Sequence, residues 1–86
     1  MQPPIMLNGR RTHVFRADRL QIRREQIGLS RREFSKRVGL QEANYGRFEL
    51  GNSEPSPIVL VRIAKLLGCS TDWLLGATDR PDVLQE

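Results

Sequence analysis

The sequence predicts an all-α fold, a compact bundle of five short helices, and three observations predict it. Apolar residues recur at the three- and four-residue spacing of a helix, with no strand-like alternation anywhere. Serines suited to capping stand in front of three of the apolar runs, at Ser30, Ser56 and Ser70. Glycines stand where the runs should stop. The 86 residues leave room for one hydrophobic core, and 38% hydrophobic content favours a packed domain over disorder. Its one cysteine, Cys69, excludes an intramolecular disulfide, and His13 with Cys69 falls short of the three or four ligands of a zinc site. No metal and no cofactor are expected. The longest apolar run near the start, Ile5 to Leu7, is too short for a signal peptide or a membrane span. The expectation is therefore a cytoplasmic protein without a membrane partner.

Residues 1–14, MQPPIMLNGRRTHV, read as a flexible basic arm, with two prolines, a glycine and no helical period. The folded domain is expected over 15–78, and 79–86 as a polar tail; the whole stretch ATDRPDVLQE after Gly76 is expected to fray. The first helix should run from Ala17 to Ile27 and end on Gly28. Its inward stripe is Leu20, Arg23 or Arg24, and Ile27, so an arginine in an apolar stripe needs a partner. SRRE, from Ser30 to Glu33, is a capping box in which the serine hydroxyl accepts an amide proton and the glutamate reaches back. The second helix follows to Val38 with Phe34 and Val38 inward. Gly39 breaks the chain, and a third helix is expected over Gln41 to Glu49. Two short helices joined by a glycine-containing turn make a helix-turn-helix. Ser56-Pro57 opens the fourth helix, whose core spacing is Leu60, Ile63, Ala64 and Leu67 before Gly68. Ser70 caps a fifth with Trp73, Leu74 and Leu75, closed by Gly76.

The charge is unevenly placed. Residues 1–37 hold ten basic side chains against three acidic ones, a net of +7, while residues 38–86 carry a net of −3. Twelve of the fourteen basic residues are arginine, suited to planar, bidentate recognition of phosphate and guanine. This balance suggests a polyanion as partner. Arg31 and Arg32 occupy the first turn of the second helix, where the helix dipole disfavours cations and an anion opposite would relieve the cost.

The third helix raises a question of its own, because Gly46 sits inside it at a cost of about 1 kcal/mol relative to alanine. At about 100° per residue, Tyr45 and Phe48 face one way and Glu42, Ala43, Gly46 and Arg47 the other. Two of those four have almost no side chain, and small residues let a helix backbone approach a partner closely.

In order and spacing, RLQIRREQIGLS, FSKRVG, GRFELG, PSP and RIAKLLGCSTDWLLG resemble the lambda-repressor and Cro-like, or Xre-type, helix-turn-helix DNA-binding domains. The resemblance covers Arg19 to Gly76. It implies that the third helix is the recognition helix, which in the family lies in the DNA major groove. Arg47 would then contact a base, guanine O6 and N7 being the natural target, and Ala43 would meet a thymine methyl. Gln41 and Asn44 match positions that contact bases or phosphates, and Arg31 matches a contact at the start of the second helix, where relatives usually carry glutamine. The amides of Gly51, Asn52 and Ser53 are further phosphate candidates. The family also implies an ion pair between Arg24 and Glu49 as a structural lock. Ile58, Val59 and Leu66, where relatives tend to be more polar, together with Leu75 form a candidate dimer patch. Arg10 and Arg11 in the arm are candidate DNA contacts.

Three departures stand out. Gln41 replaces the usual serine or threonine cap, Tyr45 replaces a branched aliphatic residue, and Glu42 is acidic where relatives often carry glutamine, arginine or serine. The expected function is a transcriptional regulator of repressor type, of phage, plasmid or mobile-element kind, binding a palindromic site in double-stranded DNA as a homodimer. An antitoxin, with a toxin as protein partner, is the related possibility. The alternative is the same fold used as a protein–protein module with a degraded DNA-reading face. No nucleophile–base pair or phosphate cradle supports an enzyme, and no catalytic residue is assigned.

Overall fold

The computed structural model describes residues 15–82. Within them lie five helices, α1 Ala17–Gln26, α2 Arg31–Arg37, α3 Glu42–Leu50, α4 Pro57–Leu67 and α5 Thr71–Leu74, and no strand among the described residues. α1 packs on α3 and α5, α2 on α3, and α4 on α5. Leu20, Phe34, Tyr45, Ile63, Leu67 and Leu74 meet at the centre as the largest fully buried side chains. One residue or two from every helix thus reaches a single core, which a chain of this size requires. The Phe34 and Tyr45 rings sit 5.1 Å apart and tilted, and Phe48 meets the edge of Tyr45 at 6.3 Å. Cys69 is buried in the same core, where burial raises its thiol pKa.

Local sequence sets the helix ends. The Ser30 hydroxyl accepts from the Glu33 amide at 3.0 Å while Glu33 Oε1 accepts from the Ser30 amide at 3.0 Å, completing the capping box. The bond from the Ser30 amide, and after it a 3.2 Å bond donated by the Ser30 hydroxyl to the same oxygen, hold the Glu33 carboxyl below its ordinary pKa. Ser56 and Ser70 cap α4 and α5 in the same way. All five helices end on a glycine at positive φ. At the α2 end the Leu40 amide donates to the Ser35 carbonyl at 2.8 Å and Gly39 to Lys36 at 3.1 Å, the Schellman pattern. With φ at +78°, Gly39 has a conformational reason to be glycine, while a Cβ there would stand at ordinary contact distance, 3.5 Å, from Arg62 Nη1.

Two expectations are corrected. Ile27 is 39% exposed, because α1 stops at Gln26 and the turn at Gly28 delivers Leu29 to the core instead. The segment after Gly76, expected to fray, is bound to the body as far as Pro81. Arg19 Nη1 donates to the Trp73 and Thr78 carbonyls at 2.7 Å each, its guanidinium lies 5.1 Å from the Trp73 ring centroid, and the Ser70 amide donates to Pro81 O at 2.9 Å. Part of the positive charge of the first half is paired within the chain. Arg16 is paired with Asp18 at 2.8 Å, and Arg23 Nε donates to the Leu67 carbonyl at 3.1 Å, at the negative end of the α4 dipole. With Arg19, Arg24 and Arg31, the last 3.9 Å from Glu49, five of the described cations in the basic half are engaged within the chain. The arm and its Arg10 and Arg11 lie outside the described residues.

Candidate nucleic-acid interface

α3 is oriented by a polar cluster beneath it. Arg24 Nε and Nη2 donate to the two oxygens of Glu49 at 2.6 and 3.2 Å, and Arg24 Nη1 donates to the Leu29 carbonyl at 2.8 Å. The Tyr45 hydroxyl donates to Glu49 Oε2 as well. Both charged partners are buried, Arg24 at 7% and Glu49 at 9% exposed, so the pair acts in a low dielectric with its donors satisfied. The bond to Glu49 raises the Arg24 pKa further above its ordinary value. Burial, and then the bond to Glu49, push the Tyr45 phenol well above the usual tyrosine range. Tyr45 therefore has two roles, a ring that packs on Phe34 and a hydroxyl that joins the ion pair. Its role as third partner was missed in the sequence, although the i, i+4 spacing to Glu49 is the available signal.

The opposite face of α3 points outward. Gln41, Glu42, Ala43, Asn44 and Arg47 are exposed and Gly46 is half-buried. No side chain of this set makes a hydrogen bond or ion pair with another described residue. Leu50, 69% exposed, shares this face with Ala43 and Arg47; it was not among the expected site residues, though the same helical wheel places it there. Gln41 stands at the N-cap without a side-chain cap bond, which leaves the first amides of α3 open to an anion.

The loop after α3 is less open than expected. The Gly51 amide donates to Phe48 O at 3.2 Å and the Asn52 amide to Arg47 O at 2.9 Å, closing the helix. Two of the three candidate phosphate amides are thus engaged, and the loop offers the Ser53 amide with the Asn52 and Ser53 side chains. On α2, Arg31, Arg32, Lys36 and Arg37 are all exposed. The anion beside Arg31 is in part the chain's own, since Arg31 Nε lies 3.9 Å from Glu49 Oε1. From α4, Arg62 Nη1 reaches the Val38 carbonyl at 3.4 Å and adds a cation beside the turn.

A Cβ built on Gly46 meets nothing within 4 Å. Nothing in the described chain demands glycine there, so Gly46→Ala should raise stability by roughly 0.5–1 kcal/mol. Thermal denaturation checks this, and a lowered midpoint would contradict it.

The Helix-turn-helix family model matches residues 20–74, a span that includes α2, the turn and α3. The chain belongs to the lambda-repressor and Cro-like, Xre-type helix-turn-helix family. Among its relatives is the SPbeta prophage-derived HTH-type transcriptional regulator YonR of Bacillus subtilis (strain 168), 34% identical over 61 residues, covering 71% of this chain and 56% of the relative. The HTH-type transcriptional regulator DicA of Escherichia coli (strain K12) is 29% identical over 58 residues, 67% of this chain and 43% of its own. The chain spans about half the length of the curated relatives it matches. Among solved structures, the P22 c2 repressor in complex with a synthetic operator superposes with a TM-score of 0.69 at 27% identity, covering 72% of this chain and 94% of that one. Family membership and the five-helix architecture thus agree. Among the described residues no helix is long and apolar enough to cross a membrane, and no group of three or more metal-ligating side chains occurs.

Proposed function

We propose that this helix-turn-helix domain is the DNA-reading part of a cytoplasmic transcriptional regulator of repressor type, binding a palindromic operator as a homodimer. The observation that carries the reading is the division of labour on α3. Its inner face is fixed by Tyr45 and Glu49, while Gln41, Glu42, Asn44 and Arg47 present side chains with no bond to any other described residue. α3 would lie in the major groove, with Arg47 on a guanine and Ala43 against a thymine methyl. The exposed cations of α2 add sequence-independent attraction to phosphates.

For the dimer, Ile58 is 68% exposed, while Val59, Leu66 and Leu75 are half-buried against the core. Val61, 44% exposed and three residues from Ile58, extends the apolar strip on α4. A two-fold dimer would set its recognition helices about 34 Å apart, one turn of DNA. Selection from a random DNA pool should enrich a two-fold symmetric site with half-sites about 10 base pairs apart. Sedimentation of the complex should give two chains per site. A single chain per site would remove the dimer, and a pool without enrichment would remove the reading itself. The second reading, a protein-binding module, is favoured by the exposed carboxylate of Glu42 and by the weak cap at Gln41, and it takes the lead in that last case.

A further inference from the structure

The segment after α5 runs back along that helix. Arg19 Nη1 bridges the Trp73 and Thr78 carbonyls, Arg19 Nη2 reaches Asp79 Oδ1 at 3.1 Å, and the Ser70 amide donates to Pro81 O at 2.9 Å. Thr78 is thus held near the end of α5 and Pro81 at its N-cap, so this strap travels from the end of the helix toward its start. It lies beyond residue 74, where the match to the family model stops. Two depressions of the surface meet at Ser70 and Thr71. Asp82, the last described residue, lines the first together with Thr78 and Arg80. The second continues onto α4, where it is lined by the buried Ala64 and Cys69 and by the exposed Val61 and Lys65. Val61 is 44% exposed, and the Lys65 side chain pairs with no other described residue.

We propose that this second groove is the docking site of the chain's own residues after Asp82, with Val83 and Leu84 packed on Val61, Ala64 and Cys69. Direction supports it, because a strap that passes Trp73 and then Ser70 is aimed at Cys69 and the end of α4. Reach supports it too. An extended chain covers about 3.3 Å per residue, so Pro81 to Leu84 spans roughly 10 Å. The stretch of α4 from Gly68 back to Val61 rises by about the same distance. The chemistry agrees, since Val83-Leu84 is the one apolar pair after Leu75, and Glu86 follows it with a charge opposite to that of Lys65. Apolar burial supplies the attraction, and the exposed ion pair adds little beyond orientation. The docking is independent of what α3 reads.

Nuclear magnetic resonance of the full chain tests this. Methyl groups of Val83 or Leu84 should give nuclear Overhauser contacts with those of Val61 or Ala64, and the contacts should persist on dilution. Val83→Ser combined with Leu84→Ser should abolish them and shift the Val61 and Ala64 methyl signals, while the signals of α2 and α3 stay in place. A wild-type chain without such contacts, whose Val61 and Ala64 signals ignore the double substitution, would overturn the proposal. Contacts seen only between differently labelled chains in a mixed sample, and lost on dilution, would overturn it as well and give the groove to a second copy.

Discussion

Replacing Glu49 with alanine is expected to lower the thermal midpoint sharply. The change leaves the buried Arg24 side chain with its hydrogen bond to the Leu29 carbonyl and a 3.8 Å ion pair with Glu25, and leaves the Tyr45 hydroxyl without its acceptor. Breaking a buried pair by removing one partner costs about 3–5 kcal/mol. A small domain has roughly 5–15 kcal/mol in total, and each kcal/mol moves the midpoint of a domain this size by about 4–8 °C. Much of that cost is the stranded arginine, so a double variant, Arg24→Met with Glu49→Leu, should recover a large part of the loss. Circular dichroism on heating measures both. A Glu49→Ala midpoint equal to wild type would show that the pair holds nothing together.

The helix ends were legible in the sequence because their causes are local. A serine three residues before a glutamate, or a glycine after the last apolar residue, fixes its geometry within a few residues, and the caps at Ser30, Ser56 and Ser70 follow. The partners of the arginines were not legible in the same way. A count of charges cannot show that Arg19 and Arg23 are bound to backbone carbonyls 44 to 59 residues away. The same long reach explains the segment after Gly76, whose polar composition gives no sign that it will meet Arg19 and the Ser70 amide. The pair Arg24–Glu49 could be anticipated only through the family resemblance, since 25 residues separate its members. The outward face of α3 was legible from helical spacing alone, apart from Leu50, which lies one residue beyond the expected end of the helix. Helical spacing finds what faces outward. It does not say what an outward side chain meets.

That meeting is what Glu42 and Arg47 test. Both are exposed on the face opposite Tyr45, and neither is bound within the described chain. In the proposed complex Arg47 donates to a guanine edge, and Glu42 accepts from a cytosine amino group while repelling every phosphate it passes. An acid there weakens binding to all DNA but recovers part of the loss only where the cytosine is correctly placed, so it sharpens discrimination by penalising wrong sites. Glu42→Ala should therefore raise affinity for random DNA and narrow the gap between operator and non-operator by roughly 1–3 kcal/mol, one base pair's discrimination. The effect should shrink at high salt, because the repulsive part is a screened interaction between exposed charges. Arg47→Ala should weaken the operator complex by a similar amount and relax the preference at one position of the selected site. Competition binding against random DNA, with repeated selection for each variant, reads both effects. Unchanged affinities in Glu42→Ala would place that carboxylate away from the groove. An Arg47→Ala variant that lost affinity equally for all sequences, with an unaltered selected site, would make Arg47 a phosphate contact and leave the reading of bases to Gln41, Ala43 and Asn44.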